Sequence, residues 1–274
     1  MKPGGERVRT AFVSDLHLGS RHCQARELAA YLESLQCERL YLVGDVIDLW
    51  WLSKRRATWG AAQTRVIDRI RALARNGTRV IYIPGNHDRP LRALAGLAIP
   101  GAVLRRRAVH VTADGRRLLV SHGDEHDPAT RLGGLREWFG EHLYDAILAG
   151  NSALNDARAA FGMRYWSMAD FLKRRSTAAE RYIERFVAAS IADVRRRGLD
   201  GVVCGHIHRP RLTRVDGLIY ANDGDWVESL SAIEEERDGT LRLVRWCGAR
   251  IVEDIVPPRL VLAPPPRPVA LTYP

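Results

Sequence analysis

The sequence predicts an α/β fold: a mainly parallel, buried β-core flanked by helices, with a helical insertion after its first half. Three observations carry this. Short apolar runs alternate with amphipathic stretches from residue 8 to residue 83. Closely spaced strands with two Asp-Gly turns follow residue 208. Between these regions lies a long stretch rich in aromatic residues and arginine, with helical spacing.

Residues 8–14 read as a first strand, ending directly at Asp15. A helix-like segment covers 24–36, and a second strand, 39–43, ends at Gly44-Asp45. Ala62, Val66, Ile70 and Leu73 give helical spacing over 60–75, stopped by Asn76-Gly77. A third strand, 78–83, runs into Pro84-Gly85-Asn86. This rhythm implies right-handed βαβ units. Residues 108–112 and 117–121 read as a hairpin ending at His122. After His208, strands are expected at 212–215, 218–221, 226–233 and 241–246. The domain plan is a core of residues 1–127 and 199–255, a helical cap at 128–198, and a Pro-rich tail at 256–274. Four helices fit the cap, which carries Trp138, Tyr144, Phe161, Trp166 and Phe171.

The 274 residues suffice for one large domain with an insertion. The start has no apolar signal segment, and no run approaches the roughly 18 apolar residues of a membrane span. A cytoplasmic protein is expected. Cys23, Cys37, Cys204 and Cys247 have no paired spacing and read as reduced, mostly buried thiols. The net charge of +10 is almost entirely arginine, with lysine only at positions 2, 54 and 173. Arginine forks suit phosphate and carboxylate partners. The arginines are spread along the chain without an aromatic-interleaved motif, so a nucleic-acid partner is not expected.

Chemistry concentrates in five blocks: Asp15-Leu-His17, Gly44-Asp45, Gly85-Asn86-His87-Asp88, His122-Gly123-Asp124 and Gly205-His206-Ile-His208. In an α/β sheet, loops at the carboxyl ends of strands converge on one edge, so distant blocks can meet there. Asp15, His17, Asp45, Asn86, His122, His206 and His208 make the ligand set of two adjacent divalent metals. A carboxylate has two oxygens, and Asp45 is the natural bridge. Mixed oxygen and nitrogen donors point to manganese, with iron, zinc or cobalt also fitting. Two cations about 3.5–4 Å apart acidify a bridging water, so in-line attack by hydroxide on phosphorus is expected. Any single block could be turn chemistry or a helix cap; their joint occurrence is what points to metals.

The five blocks together resemble the calcineurin-like metallophosphoesterase superfamily, whose signature runs Asp-x-His, Gly-Asp, Gly-Asn-His-Asp/Glu, His, Gly-His-x-His. The resemblance covers about residues 8 to 250. It implies a sandwich of two mixed β-sheets flanked by helices. It further implies one metal on Asp15, His17, Asp45 and His208, and a second on Asp45, Asn86, His122 and His206. Ser14-Asp-Leu-His-Leu-Gly19, Tyr41-Leu-Val-Gly-Asp-Val-Ile-Asp-Leu-Trp50 and Gly205-His-Ile-His-Arg-Pro210 are most similar to the UDP-2,3-diacylglucosamine pyrophosphatases of lipid A biosynthesis. One position departs: the well-known enzymes of that branch carry arginine where His87 stands. The Asn222–Ser229 ending also differs.

The catalytic residue expected is His87, stabilising phosphoryl oxygens or protonating the leaving group, with Asp88 orienting its ring. Asp48 and Asp124 are read either as partners of the ligands or as helix caps. Arg89 and Lys173 are the expected substrate contacts, and Arg209 a further possibility. His22, His110, His126 and His142 lie outside the signature and read as ordinary. The expected substrate is a phosphorylated small molecule or a lipid-linked nucleotide, with peripheral contact to the inner membrane surface. A soluble-nucleotide phosphodiesterase is the alternative, and a nuclease a more distant one.

Overall fold

The computed structural model describes residues 7–53, 58–127 and 177–259. Two mixed sheets pack face to face with helices on their outer sides. The first sheet has a parallel centre formed by β1 (Arg7–Val13), β2 (Gln36–Val43), β3 (Arg79–Ile83) and β5 (Ala102–Leu104). Antiparallel strands extend it at both sides: β4 (Ala98–Ile99) beside β5, and β11 (Ser231–Glu235), β12 (Leu241–Trp246) and β13 (Arg250–Val256) beyond β1. The second sheet runs β6 (Ala108–Val111), β7 (Arg117–Val120), β8 (Gly201–Cys204), β10 (Leu218–Asn222) and β9 (Arg211–Val215). Its middle strands β7, β8 and β10 are parallel.

Side-chain parity sorts the core into layers. Helices α1 (Ala25–Ser34) and α3 (Ala61–Arg75) lay Leu28, Leu32, Val66, Ile70 and Leu73 over Val13, Leu40, Leu42 and Val80. The short α2 (Leu49–Ser53) follows the second motif block. Phe12, Tyr41, Val43, Ile81 and Ile83 point the other way, meeting Leu118, Val120, Val203 and Ile219 between the sheets. The second sheet's outer face carries α4 (Thr177–Arg196), whose Phe186, Val187, Ile191 and Val194 pack on Leu119, Val202, Cys204 and Tyr220.

Most expected strands are present, and the differences have physical causes. The strand expected at 226–233 begins only at Ser231, because the Asp225 Oδ1 atom accepts the backbone N–H groups of Val227, Glu228 and Ser229 and closes a turn. β13 was not expected; its mostly exposed Arg-Ile-Val-Glu-Asp-Ile-Val edge hides the alternation that marks a half-buried strand. β4 and β5 are too short to show a period. The last helix of the stretch expected as a cap, α4, is a flanking helix of the second sheet. Residues 128–176, including Lys173, His142 and the cap aromatics before Tyr182, lie outside the described residues, as does the tail from residue 260. Cys37 and Cys204 are buried as expected, whereas Cys247 is exposed.

Candidate metal centre

The turns that end β1, β2, β3, β7 and β8 bring all five blocks to one edge of the sandwich. Asp15, His17, Asp45, His206 and His208 have positive backbone φ, at 51°, 47°, 51°, 70° and 49°. That region is sparsely occupied by residues bearing a Cβ. It turns the chain sharply at each strand end, so the side chain swings back over the sheet edge. Two glycines make the approach possible. A Cβ on Gly44, itself at φ 89°, would lie 2.2 Å from His122 Nδ1, and one on Gly205 would lie 2.0 Å from the Ser14 hydroxyl.

Hydrogen bonds then settle which atom of each ring faces inward. His17 Nδ1 donates to the Asp48 carboxylate at 3.0 Å, which leaves the Nε2 lone pair facing His208 Nε2 at 3.4 Å. His122 Nδ1 donates to the Val43 carbonyl at 2.9 Å, leaving Nε2 toward Asn86 Oδ1 at 3.0 Å. His206 Nε2 donates to Asp127 at 2.9 Å, leaving Nδ1 toward the same Asn86 oxygen at 3.1 Å. Asp15 Oδ1 lies 3.1 Å from His208 Nε2 and 3.8 Å from His17 Nε2. Asp45 Oδ2 lies 3.3 Å from His122 Nε2. Ring nitrogens thus face one another and carboxylate oxygens, an arrangement that repels itself unless a positive charge, as proton or cation, sits among them. The donors fit a divalent metal. Each histidine whose second ring nitrogen is accounted for donates it to a carboxylate or carbonyl, as metal-binding histidines do.

The electrostatics agree. Burial alone would raise the Asp15 carboxyl, but the His208 and His122 imidazoles hold it well below the ordinary carboxylate range. Burial acts the same way on Asp45, and His122 and His87 overcome it. Burial would lower His122, yet Asp45 and Asp15 hold it well above the usual imidazole range. The pocket draws positive charge whether as proton or as cation.

Among the described residues, three sets of acidic and histidine side chains converge closely enough to share an ion: Asp15 with His17 and His208, Asp15 with Asp45 and His122, and His17 with Asp48 and His87. The first two contain only residues expected as ligands. In the third, Asp48 has its oxygens otherwise engaged: Oδ2 binds His17 and lies 3.2 Å from His87 Nδ1, while Oδ1 accepts the Trp51 N–H. Asp48 is therefore both the ring-orienting partner and the cap of α2. Asp15 belongs to two of the sets and Asp45 to one, so the shared position is contested between two carboxylates.

His87 stands at the rim, its side chain 22% exposed, edge-on to the His17 ring with centroids 4.7 Å apart. Its expected partner needs correction. Asp88 accepts the Val46 N–H at 2.8 Å and the Tyr82 hydroxyl, and stitches the third block to the second. Consecutive residues point apart, and Asp48, brought in from another strand, takes the role instead. Arg89 is exposed at the start of a 3₁₀ turn, Arg89–Leu94, and makes no bond to the centre among the described residues. Arg92, unnoticed in the sequence, grips both oxygens of Asp124 at 3.0 and 2.7 Å.

Two further supports went unnoticed. Asp127 binds His206 and also accepts the Tyr182 hydroxyl of α4 at 2.7 Å. Behind Asp15, the Ser14 hydroxyl lies 2.5 Å from Asp15 Oδ2 and 2.6 Å from Asp223 Oδ1. One hydroxyl carries one proton. Burial raises the Asp223 carboxyl well above the carboxylate range, and the Ser14 hydroxyl stands between it and Asp15. The Asn222–Ser229 ending thereby braces the centre; Asn222 also donates to the Gly205 carbonyl at 2.7 Å.

Comparison with known proteins decides the family. The model for calcineurin-like phosphoesterases matches residues 8–210. The chain belongs to the calcineurin-like phosphoesterase family. Membership makes it a hydrolase of phosphoric ester or pyrophosphate bonds and implies divalent metal ions. A UDP-2,3-diacylglucosamine hydrolase of Xanthomonas campestris pv. campestris is 26% identical over 85% of this chain and 97% of its own length. The Porphyromonas gingivalis enzyme of the same name is 32% identical over 43% of this chain and 47% of its own. Among solved structures, a mutant of Vps29 from Entamoeba histolytica covers 90% of this chain and 98% of that one, at 15% identity and a TM-score of 0.47. The E. coli phosphoesterase Yfce covers 91% and 99%, at 17% identity and a TM-score of 0.46.

Proposed function

We propose that this chain is a dinuclear-metal hydrolase of a phosphodiester or pyrophosphate bond, with UDP-2,3-diacylglucosamine or a similar lipid-linked nucleotide as its substrate. The observation that carries the reaction class is the set of inward lone pairs on His17, His122 and His206, facing the Asp15 and Asp45 carboxylates and Asn86. Asp15, His17, Asp45 and His208 would hold one cation, and Asp45, Asn86, His122 and His206 the other. Manganese is the metal assigned, and iron, zinc or cobalt suit the same donors. Two such cations, when bound, would supply an acidified water and neutralise charge growing on the phosphoryl oxygens.

The chain's own residues do the rest. Asp48 holds the His17 ring and stands beside His87 Nδ1, and His87 is assigned the donation of a proton to a phosphoryl or leaving oxygen. Arg89 offers a guanidinium to a substrate phosphate at the exposed rim. Lys173 belongs to the same reading but lies outside the described residues. The substrate assignment is supported by the names of the relatives. Among the described residues no helix is long and apolar enough to cross a membrane. We place the protein in the cytoplasm, reaching its lipid substrate at the inner membrane surface.

The test is a manganese-supplemented assay run in parallel on UDP-2,3-diacylglucosamine, bis-p-nitrophenyl phosphate and single-stranded DNA. The expected result is release of UMP from the first, slower turnover of the second and none of the third. Full activity in Asp45→Ala or His206→Ala would overturn the two-metal reading. Turnover of soluble diesters alone would move the substrate to soluble nucleotides.

A further inference from the structure

The strands that carry the metal ligands at one end carry arginines at the other. Arg39 of β2 and Arg79 of β3 face each other directly in the parallel register, with Thr10 of β1 next in the row. Both share the parity of Tyr41, Val43, Ile81 and Ile83, the residues that fill the space between the sheets. They are therefore aimed at the inter-sheet side of the sandwich, at its open end, rather than outward from a helix-covered face. Arg9, Arg105 and Arg107 complete a cleft of about 420 Å³, walled on its far side by Val109, His110 and Val111 of β6. Asp45 stands six positions after Arg39, just past the end of β2, so the cleft lies roughly 20 Å from the metal centre.

The charge in this cleft is not balanced. Glu235 binds Arg9 Nη1 and also lies 2.8 Å from His110 Nε2. The guanidiniums of Arg39, Arg79, Arg105 and Arg107 have no ion pair or hydrogen bond among the described residues. Burial raises the Tyr41 hydroxyl, and the Arg39, Arg79 and Arg9 guanidiniums oppose that rise, so the groups converge on the cleft floor. Like charges directly opposite on neighbouring strands destabilise a sheet. A sequence free to vary would put one of them elsewhere; positions that break a local rule in this way are where function is expected. Guanidinium forks match the geometry of phosphate oxygens, and low-dielectric walls strengthen the attraction.

We propose that this arginine cleft is a second anion site, distinct from the metal centre, that binds a ligand bearing two or more phosphate groups through Arg39, Arg79, Arg105 and Arg107. A free polyphosphorylated metabolite and the headgroups of an acidic lipid both present that chemistry.

Isothermal titration with methylenediphosphonate, which has no P–O–P bond to hydrolyse, tests the soluble source on the metal-loaded protein. Wild type is expected to bind one equivalent more than R39S/R79S, with affinity for that equivalent falling at least tenfold between 50 and 300 mM salt, roughly as counterion screening requires. Sedimentation with phosphatidylglycerol vesicles, compared with phosphatidylcholine vesicles, tests the lipid source. Binding in either arm that is lost in R39S/R79S supports the site and names its source. R105S/R107S, on the exposed connection, provides a second variant should the first fail to fold. Hydrolysis of bis-p-nitrophenyl phosphate should be unchanged in both. Equal stoichiometry in wild type and variants, together with vesicle binding that the variants retain or wild type lacks, would overturn the proposal.

Discussion

Asp48 shows how much a single carboxylate outside the ligand set can decide. It fixes the tautomer of His17, lies beside His87 and caps α2. Asp48→Asn keeps the shape but offers one acceptor oxygen in place of two. Manganese affinity, read by titration into chelator-treated protein, should fall about 10–100-fold, the usual cost of losing such a partner. His87→Gln is expected to behave differently. Its kcat should fall by about 10²–10⁴ while bound manganese stays at the wild-type level. Parallel loss of metal and activity in His87→Gln would instead make that residue a ligand. The five positive-φ residues at the centre each cost on the order of 1–3 kcal/mol, a strain held by the bonds around them. Single-residue reasoning reached the positions that meet at the sheet edge, because apolar runs end directly on them. It misread Asp88 and passed over Asp127, since neither sequence adjacency nor motif membership reports which side chains meet across strands.

At the scale of elements, α4 connects the second sheet to the centre. Phe186 is fully buried on that sheet and its ring centroid lies 6.1 Å from His206, while Tyr182 bonds the Asp127 that orients His206. Phe186→Ala should cost about 3–5 kcal/mol of stability, measured by urea unfolding. Tyr182→Phe should leave stability nearly unchanged yet weaken metal binding, because only the bond to Asp127 is lost. Equal effects on stability from both variants would remove the link between helix and site. The parallel strands were legible because they are buried on both faces and read as continuous apolar runs. The antiparallel wing at β13 was not, since an exposed edge strand carries charge where a core strand carries valine. The two-sheet arrangement came from the resemblance rather than from any period, for periodicity reports which face is buried and not what buries it.

The whole molecule is polar in its layout, with buried carboxylates and histidines at one end of the strands and arginines at the other. Glu235 ties the arginine end together. Burial raises its carboxyl, but the His110 hydrogen bond and charge outweigh that and hold it below its ordinary value of 4.5. A depressed folded pKa stabilises above the unfolded value, and that contribution vanishes as pH falls through the folded one. Thermal melts should therefore hold steady from pH 7 to about 5 and drop below about 4.5. Glu235→Gln should lower Tm at pH 7 and flatten the acid slope; identical slopes would remove Glu235 from the account.

We propose that two cations sit among the facing donors at the strand ends. Anomalous diffraction at the manganese edge, from crystals of manganese-loaded protein, tests it most directly. Two peaks are expected, one beside His17 and His208 and one beside Asn86, His122 and His206, with a carboxylate between them. A single peak, or one seated among His17, Asp48 and His87, would contradict it.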